Sequence, residues 1–376
     1  MQNVAKKERS SNLELFRIIT MLLIVAHHYV VNSGLADVGG PIYSNLWSVK
    51  SVLLLIFGAW GKMGINCFVF ITGYFMCKSQ ITAKKFAKLL FEVELYKIAI
   101  YVIFVLAGYS SFSLAGIVNA VFPFASIARN FTGCFLVFFL LIPFLNVLVK
   151  NLTEKQHIRL LMLLGFVYIV LGTLPITGVT FNYVTWFSVL YVVSAYVRLY
   201  PKKLFDKTLL WGVFALLSLA VSVFSVVVLS YIEAKYSKGS VYMLLTDSNK
   251  VLAFATAFCL FMFFKNVNIK NSKFINTVAA SCFGVLLIHA NSDEMRQWLW
   301  GDLLKNVEMY SSNYLVLHAV VSVIGIYAVC TLIDFLRIQF VEKPFFKLWD
   351  KHWEKFSSWF SKLENAVCEK LKIDIK

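Results

Sequence analysis

Apolar residues in this chain come in runs of about 18 to 25, and that pattern limits the fold more than any other feature. Coiled as a helix, such a run spans the roughly 30 Å hydrocarbon core of a bilayer and satisfies its own backbone groups there. The composition agrees. Of 376 residues, 59% are hydrophobic and 15% charged, with a mean hydropathy of +0.73, far from a soluble globular balance. Ten runs stand out, at about 13–33, 51–77, 86–108, 131–149, 158–174, 182–199, 208–231, 249–266, 275–291 and 313–337. The chain therefore reads as an all-α polytopic membrane protein of about ten transmembrane helices. Gly58, Gly61 and Gly64 predict a broken or re-entrant start to the second run, and segment 112–127, with Pro123, reads as a short interfacial piece. The residues up to Asn12 are polar and the first run is too long for a signal core, so no cleaved leader is expected.

The basic residues give the orientation. Lys6, Lys7 and Arg9 precede the first run; Lys78, Lys84, Lys85 and Lys88 follow the second; Lys150, Lys155 and Arg159 follow the fourth. The loops after the sixth, eighth and tenth runs are basic as well, whereas the odd-numbered loops are sparse or mixed. By the positive-inside rule both termini are expected in the cytoplasm, with ten crossings between them. The net charge of +16 then reports topology, and no nucleic-acid partner is expected. From Val341 onward Trp349, Trp353, Phe356 and Phe360 recur at three-to-four-residue steps among lysines and glutamates. This tail, 341–376, is expected to be a cytoplasmic amphipathic helix on the membrane surface, after a transmembrane domain of 1–340. A partner-binding helix is the rival reading of the tail. The seven cysteines are mostly buried in apolar runs and form no CxxC, so neither a disulfide framework nor a metal site is expected.

Within the first run stand Arg17 and His28, with ten residues between them. Eleven steps of about 100° close to within roughly 20° of three turns, so the two side chains share one helix face about 16 Å apart along the axis. An arginine at the bilayer centre costs roughly 2.5–3.5 kcal/mol, a cost tolerated where the charge faces a polar cavity and has a function. Histidine suits proton removal near neutral pH, and arginine suits a phosphate or carboxylate. Glu14 lies three residues before Arg17 and can pair with it. The pattern points to group transfer from a phosphorylated donor to a hydroxyl; its plain alternative is a snorkelling Arg17 beside a packing histidine.

The motifs also carry a resemblance. Asn12-Leu-Glu-Leu-Phe-Arg17 followed by His28 resembles the opening signature of the acyltransferase-3 family of bacterial integral-membrane acyltransferases. Gly61 through Thr72-Gly73-Tyr74 is similar to that family's second-helix segment, Pro143-Phe-Leu-Asn146 to the end of its fourth helix, and Trp186-Phe187 through Tyr191 to Arg198 to a later helix. Ser281 to His289 resembles its ninth-helix motif, and Ile333-Asp-Phe-Leu-Arg337 its closing segment. The resemblance implies a ten-helix bundle that takes acyl-CoA, most simply acetyl-CoA, from the cytoplasm and acylates a hydroxyl of a surface polysaccharide or its lipid-linked precursor. It implies that Arg17 holds the acyl-CoA with Glu14 in support, that His28 is the base or acyl relay, and that His289 belongs to the site. The chain departs from the family pattern at Lys84, Lys85 and Lys88, where an Arg-Arg pair is usual and where these lysines would meet the CoA phosphates. Gly133-Cys134, Leu286 and Ala290 also depart, and bear on the acceptor pocket.

Lys62 is a candidate for an anionic acceptor or a thioester oxygen, with snorkelling as its plain alternative. Asn66 could donate to a developing oxyanion or simply bridge helices. Glu94 and Lys97, and Asp334 and Arg337, read as self-neutralising i,i+3 pairs. His318 reads as a packing residue, and His157 and His352 as solvated. The rival class is a glycolipid or small-anion transporter or flippase; the duplicated halves such proteins often show are not visible here.

Overall fold

The computed structural model describes residues 10–122, 131–177, 179, 181–237, 240–353, 357, 358 and 362. Every regular element among them is helical and none is a strand. The chain divides into two compact units, one ending at Thr331 and the other beginning at Leu332. The principal helices are α1 (Ser11–Val31), α2 (Val49–Gly58), α3 (Gly61–Met76), α4 (Ala83–Leu106), α5 (Phe131–Asn151) and α6 (Glu154–Leu164), the last running on as a π-turn over Gly165–Leu171. They continue with α7 (Tyr183–Leu199), α8 (Thr208–Tyr236), α9 (Val251–Asn266), α10 (Lys273–Ala280), α11 (Cys282–His289) and α12 (Leu315–Arg337). Each of the ten apolar runs falls on a helix.

Among the described residues five helices are long and apolar enough to cross a membrane: Ser11–Val31, Val49–Met76, Phe131–Asn151, Thr208–Tyr236 and Leu315–Trp353. The pair Lys273–His289 and Asp293–Leu303, bent by 97°, adds a sixth if counted as one span. Tyr183–Leu199 and Val251–Asn266 are apolar but shorter. The outer faces suit lipid: Leu209 is 83% exposed and Phe224 68% on α8, a burden of apolar surface that water would not tolerate.

Local sequence chemistry sets the helix starts. Ser48, Thr82, Asn182 and Ser272 each accept a backbone N–H of the first turn, and Thr153 with Gln156 closes a capping box at α6. The break expected in the second run is present at Ala59–Trp60, but Val49–Met76 remains one span and is not re-entrant. Its glycines serve the contact with α1 instead. A Cβ at Gly58 would come within 2.8 Å of Val30, one at Gly64 within 2.7 Å of Ile24, and one at Gly61 would overlap the His27 ring. The two helices run antiparallel and touch backbone to side chain along this stripe. Gly73 does the same for α7, where a Cβ would overlap the Ser194 hydroxyl.

Other motif residues are also structural clips. Asn146 donates to the end carbonyls of α3 and its turn, Met76 (3.2 Å) and Ser79 (3.3 Å), and accepts from Tyr191 (2.6 Å), supplying partners that a helix C-terminus lacks. Arg198 donates to the Tyr74 hydroxyl (2.8 Å) and lies 4.6 Å from that ring's centroid. Asn66 is fully buried, donates to the Ser248 carbonyl (2.7 Å) and accepts from the Trp186 indole N–H (2.9 Å). Asn66→Leu should therefore leave a buried N–H and a buried carbonyl unpaired, at about 1–3 kcal/mol each. The expected result is a melting point lower by several degrees in detergent, at roughly 2–4 °C per kcal/mol; an unchanged melting point would remove this bridge from the fold.

Segment 112–127 contributes a short helix, Leu114–Val121; Pro123 lies outside the described residues. In the second unit Arg337 donates to Asp334 (2.8 Å), the pairing expected for their spacing, and also to Glu342 (2.8 Å). The Trp349 and Trp353 rings stack at 5.3 Å in the helix that continues to Trp353. Phe356, Phe360 and the rest of the tail pattern lie outside the described residues, as do Lys6, Lys7 and Arg9.

Candidate functional site

The first motif of the chain fixes α1 at one end. Asn12 donates to the C-terminal carbonyls of α9, Phe264 (2.8 Å) and Lys265 (3.1 Å), and Ser11 accepts the Ser272 N–H (2.9 Å). Phe16 stacks on Phe264 at 4.7 Å between centroids. With that end pinned and the glycine stripe of α2 and α3 against the other, the remaining face of α1 looks into a cavity of about 430 Å³, large enough for part of a small-molecule substrate. Arg17, Ile24, His27 and His28 line it from α1; Lys62, Ile65 and Thr72 from α3; Leu89, Glu92 and Lys97 from α4. Phe131 and Phe135 of α5, Phe283 and Leu286 of α11, and Arg296 beyond the 97° bend complete the wall.

Arg17 and His28 thus face one cavity, as their spacing requires. Arg17 is pinned from below by Glu14 (3.3 Å), which is itself buried, while a quarter of the arginine side chain stays accessible (27%). His28 meets a residue 261 positions away: its Nδ1 lies 2.9 Å from His289 Nε2. The His289 Nδ1 lies 2.6 Å from the Val285 carbonyl one turn earlier. A carbonyl oxygen only accepts, so His289 carries its proton on Nδ1 and presents a lone pair at Nε2. His28 must then donate from Nδ1, which leaves its own Nε2 unprotonated. The chain Val285–His289–His28 therefore sets a tautomer and a ring orientation with backbone and neutral imidazole alone. His27 has a similar arrangement, donating from Nδ1 to the carbonyl of Gly58, the last residue of α2 (2.5 Å). By the helical step His27 lies about 80° from the Arg17 face, yet it approaches Gly61 closely and its ring is at the cavity wall.

The other candidates divide. Lys62 lines the cavity and donates to the Tyr183 hydroxyl (3.0 Å). Lys97 lines it too, and donates to the Phe122 carbonyl (3.3 Å) while still feeling the charge of Glu94, the partner expected from their spacing. Asn66 is not among the lining residues, and both ends of its amide are engaged, which fits the second of its two readings, a bridge between helices. Lys84, Lys85 and Lys88 do not line the cavity; Lys85 turns back to Ser79 (2.8 Å) and the Gln80 carbonyl (2.7 Å). His157, expected to be solvated, is buried, with Nε2 3.0 Å from the Val192 carbonyl and its ring edge-on to Tyr196 and Tyr200. His318 packs against Tyr29, with its Nδ1 2.8 Å from that hydroxyl. Two departures from the family pattern, Leu286 and Ala290, lie in the cavity wall on either side of His289. No group of His, Cys, Asp and Glu among the described residues could hold a metal ion.

Comparison with known proteins adds one finding. The family model described as an acyltransferase domain, of the acyltransferase-3 type, matches residues 10–335. No curated protein and no solved structure gave a match. The matched segment begins at the α1 anchor and includes every cavity-lining residue named above, so the cavity belongs to the part of the chain that the family shares. The chain is a member of the acyltransferase-3 family, and hence a membrane acyltransferase.

Proposed function

We propose that the protein transfers an acetyl group from acetyl-CoA to a hydroxyl of a cell-surface polysaccharide or its lipid-linked precursor, in the membrane of a bacterial cell. The observation that carries this reading is the shared cavity of Arg17 and His28, with the His28 tautomer set by His289. In this reading ten spans cross the membrane with both termini in the cytoplasm, so Arg17 stands nearer the cytoplasmic face and His28 nearer the outside. The Arg17-to-His28 distance, about 16 Å along the helix, suits an extended pantetheine arm. The Arg17 guanidinium, braced by Glu14, then anchors the donor, and Lys84, Lys85 and Lys88 attract the CoA phosphates to the entrance without gripping them in the cavity.

At the far end His28 Nε2 accepts the proton of the acceptor hydroxyl as that oxygen bonds to the thioester carbonyl carbon. The carbon–sulfur bond breaks, and the proton held on His28 passes to the departing thiolate, so both imidazoles end neutral. His289 holds the ring in place and shares the positive charge that His28 carries between the two transfers. A relay in which His28 takes the acetyl group first uses the same Nε2 and needs the same tautomer.

The reading is tested in cells lacking the gene. Complementation with the wild-type chain should restore O-acetyl groups to one polysaccharide, seen by NMR. Arg17→Ala should leave roughly a tenth or less of that acetylation, as the loss of a charge-assisted contact predicts. Full acetylation without the gene, or by Arg17→Ala, rejects the reading.

A further inference from the structure

The cavity is charged unevenly. Helix α3 runs antiparallel to α1, because Gly64, Gly61 and Gly58 meet Ile24, His27 and Val30 in that order. Helix α4 follows α3 after a short turn and so runs parallel to α1. Lys62, one position from the glycine under His27, and Lys97, eight residues or about 12 Å beyond Leu89 along α4, therefore both stand at the His28 end. Arg296 joins them from the short helix Asp293–Arg296, past the bend that follows His289. Three cations from three separate elements ring the end where the hydroxyl must arrive, and Glu92 is the one carboxylate lining the whole cavity among the described residues.

Among the described residues Lys62 has no acidic partner, and Lys97 feels the charge of Glu94, three residues before it, without a close ion pair. Lys62 rests on a tyrosine hydroxyl and ring, and Lys97 on a backbone carbonyl. Arg296 pairs closely with a carboxylate, the exposed Asp293 (2.9 Å). Both Lys62 and Lys97 line the cavity that Arg17 and His28 face. Three cations in a partly enclosed, apolar-walled space lined by a single carboxylate are costly, and an anionic ligand would offset that cost. The donor's phosphates do not serve, since they lie a pantetheine arm away, beyond Arg17.

We infer that the acceptor is anionic: it presents a phosphate or carboxylate close to the hydroxyl that is acylated, and Lys62 and Lys97, with Arg296 at the rim, hold that group while His28 faces the hydroxyl. Lys62 and Lys97 are specificity residues for the acceptor and not for the donor. The inference rests on the acyl-transfer reading above.

The test uses the full chain in lipid nanodiscs, acetyl-CoA labelled in the acetyl group, and the glycan and glycolipid extract of cells lacking the gene, separated by anion exchange into neutral and retained fractions. Label should enter a retained fraction. Phosphatase treatment then tells a phosphate-bearing acceptor from a uronate-bearing one. In the Lys62→Gln, Lys97→Gln double variant the acceptor concentration for half-maximal rate should rise about tenfold or more, with the KM for acetyl-CoA held within about twofold. Lys62→Arg, Lys97→Arg should restore most of the loss and show that the fold is intact. Label confined to the neutral fraction overturns the inference and leaves acyl transfer standing, as does a double variant in which the acetyl-CoA KM rises instead. Label in no fraction removes both.

Discussion

Replacement of His28 by glutamine should lower acyl transfer by about 10²–10⁴-fold while leaving the protein folded, because glutamine keeps a polar group in the cavity but provides no base. In the proposed mechanism the proton given to His28 has no other acceptor of comparable basicity on the same face of α1, and His27 holds its ring against Gly58 on a neighbouring face. His289→Phe is the companion. It removes the hydrogen bond that fixes the His28 tautomer (2.9 Å) without touching the reacting atoms. Losing that bond costs about 1–3 kcal/mol, roughly one to two powers of ten in rate. The fall should appear in kcat with the acetyl-CoA KM nearly constant, since His289 meets His28 and not the donor. Rates measured in nanodiscs for both variants and for His27→Gln decide the matter. Equal activity of His28→Gln and wild type ends the case for this base, and a collapse only in His27→Gln moves the role one residue along the helix.

Gly61→Val should be as damaging by a different route. A Cβ at this position would overlap His27 at its Cβ and ring root, not at the tip of a flexible chain, so α1 and α3 must move apart. Overpacking of this kind costs about 1–3 kcal/mol. The larger effect is on geometry, since a displacement of about 1 Å at reacting groups can cost roughly 100-fold in rate. The expected outcome is a melting point lower by several degrees together with near-complete loss of transfer. Gly165→Val, where a Cβ meets nothing within 4 Å, is the control and should behave as wild type. A Gly61→Val protein with full activity would show that α1 does not depend on the stripe for its position.

Much of this could be read from the sequence because run length and helical step are strong, local signals. The ten apolar runs fell on helices, and the 100° step correctly put Arg17 and His28 on one cavity wall. What could not be read was set by which helices neighbour one another. His289 is bonded to His28 across 261 residues, and nothing local in either segment announces the other. His27 looked wrong by angle alone; the glycines at three-residue intervals, 58, 61 and 64, were the available signal that α1 would lie close enough to bring its ring to the wall. The i,i+3 spacing made the Glu94–Lys97 interaction legible, but not the carbonyl that the chain beyond α4 adds to Lys97. The two readings of Asn66 stayed open, and His157 was misread, for a common reason. A polar residue in an apolar run is as readily a bridge between helices as a functional group, and only the identity of the facing helix distinguishes them.

The wide separation of His28 and His289 along the chain has a consequence for biogenesis. The first histidine enters lipid with helix α1, yet its partner is made 261 residues later. A nascent product that stops short of His289 therefore lacks the bond that orients the His28 ring.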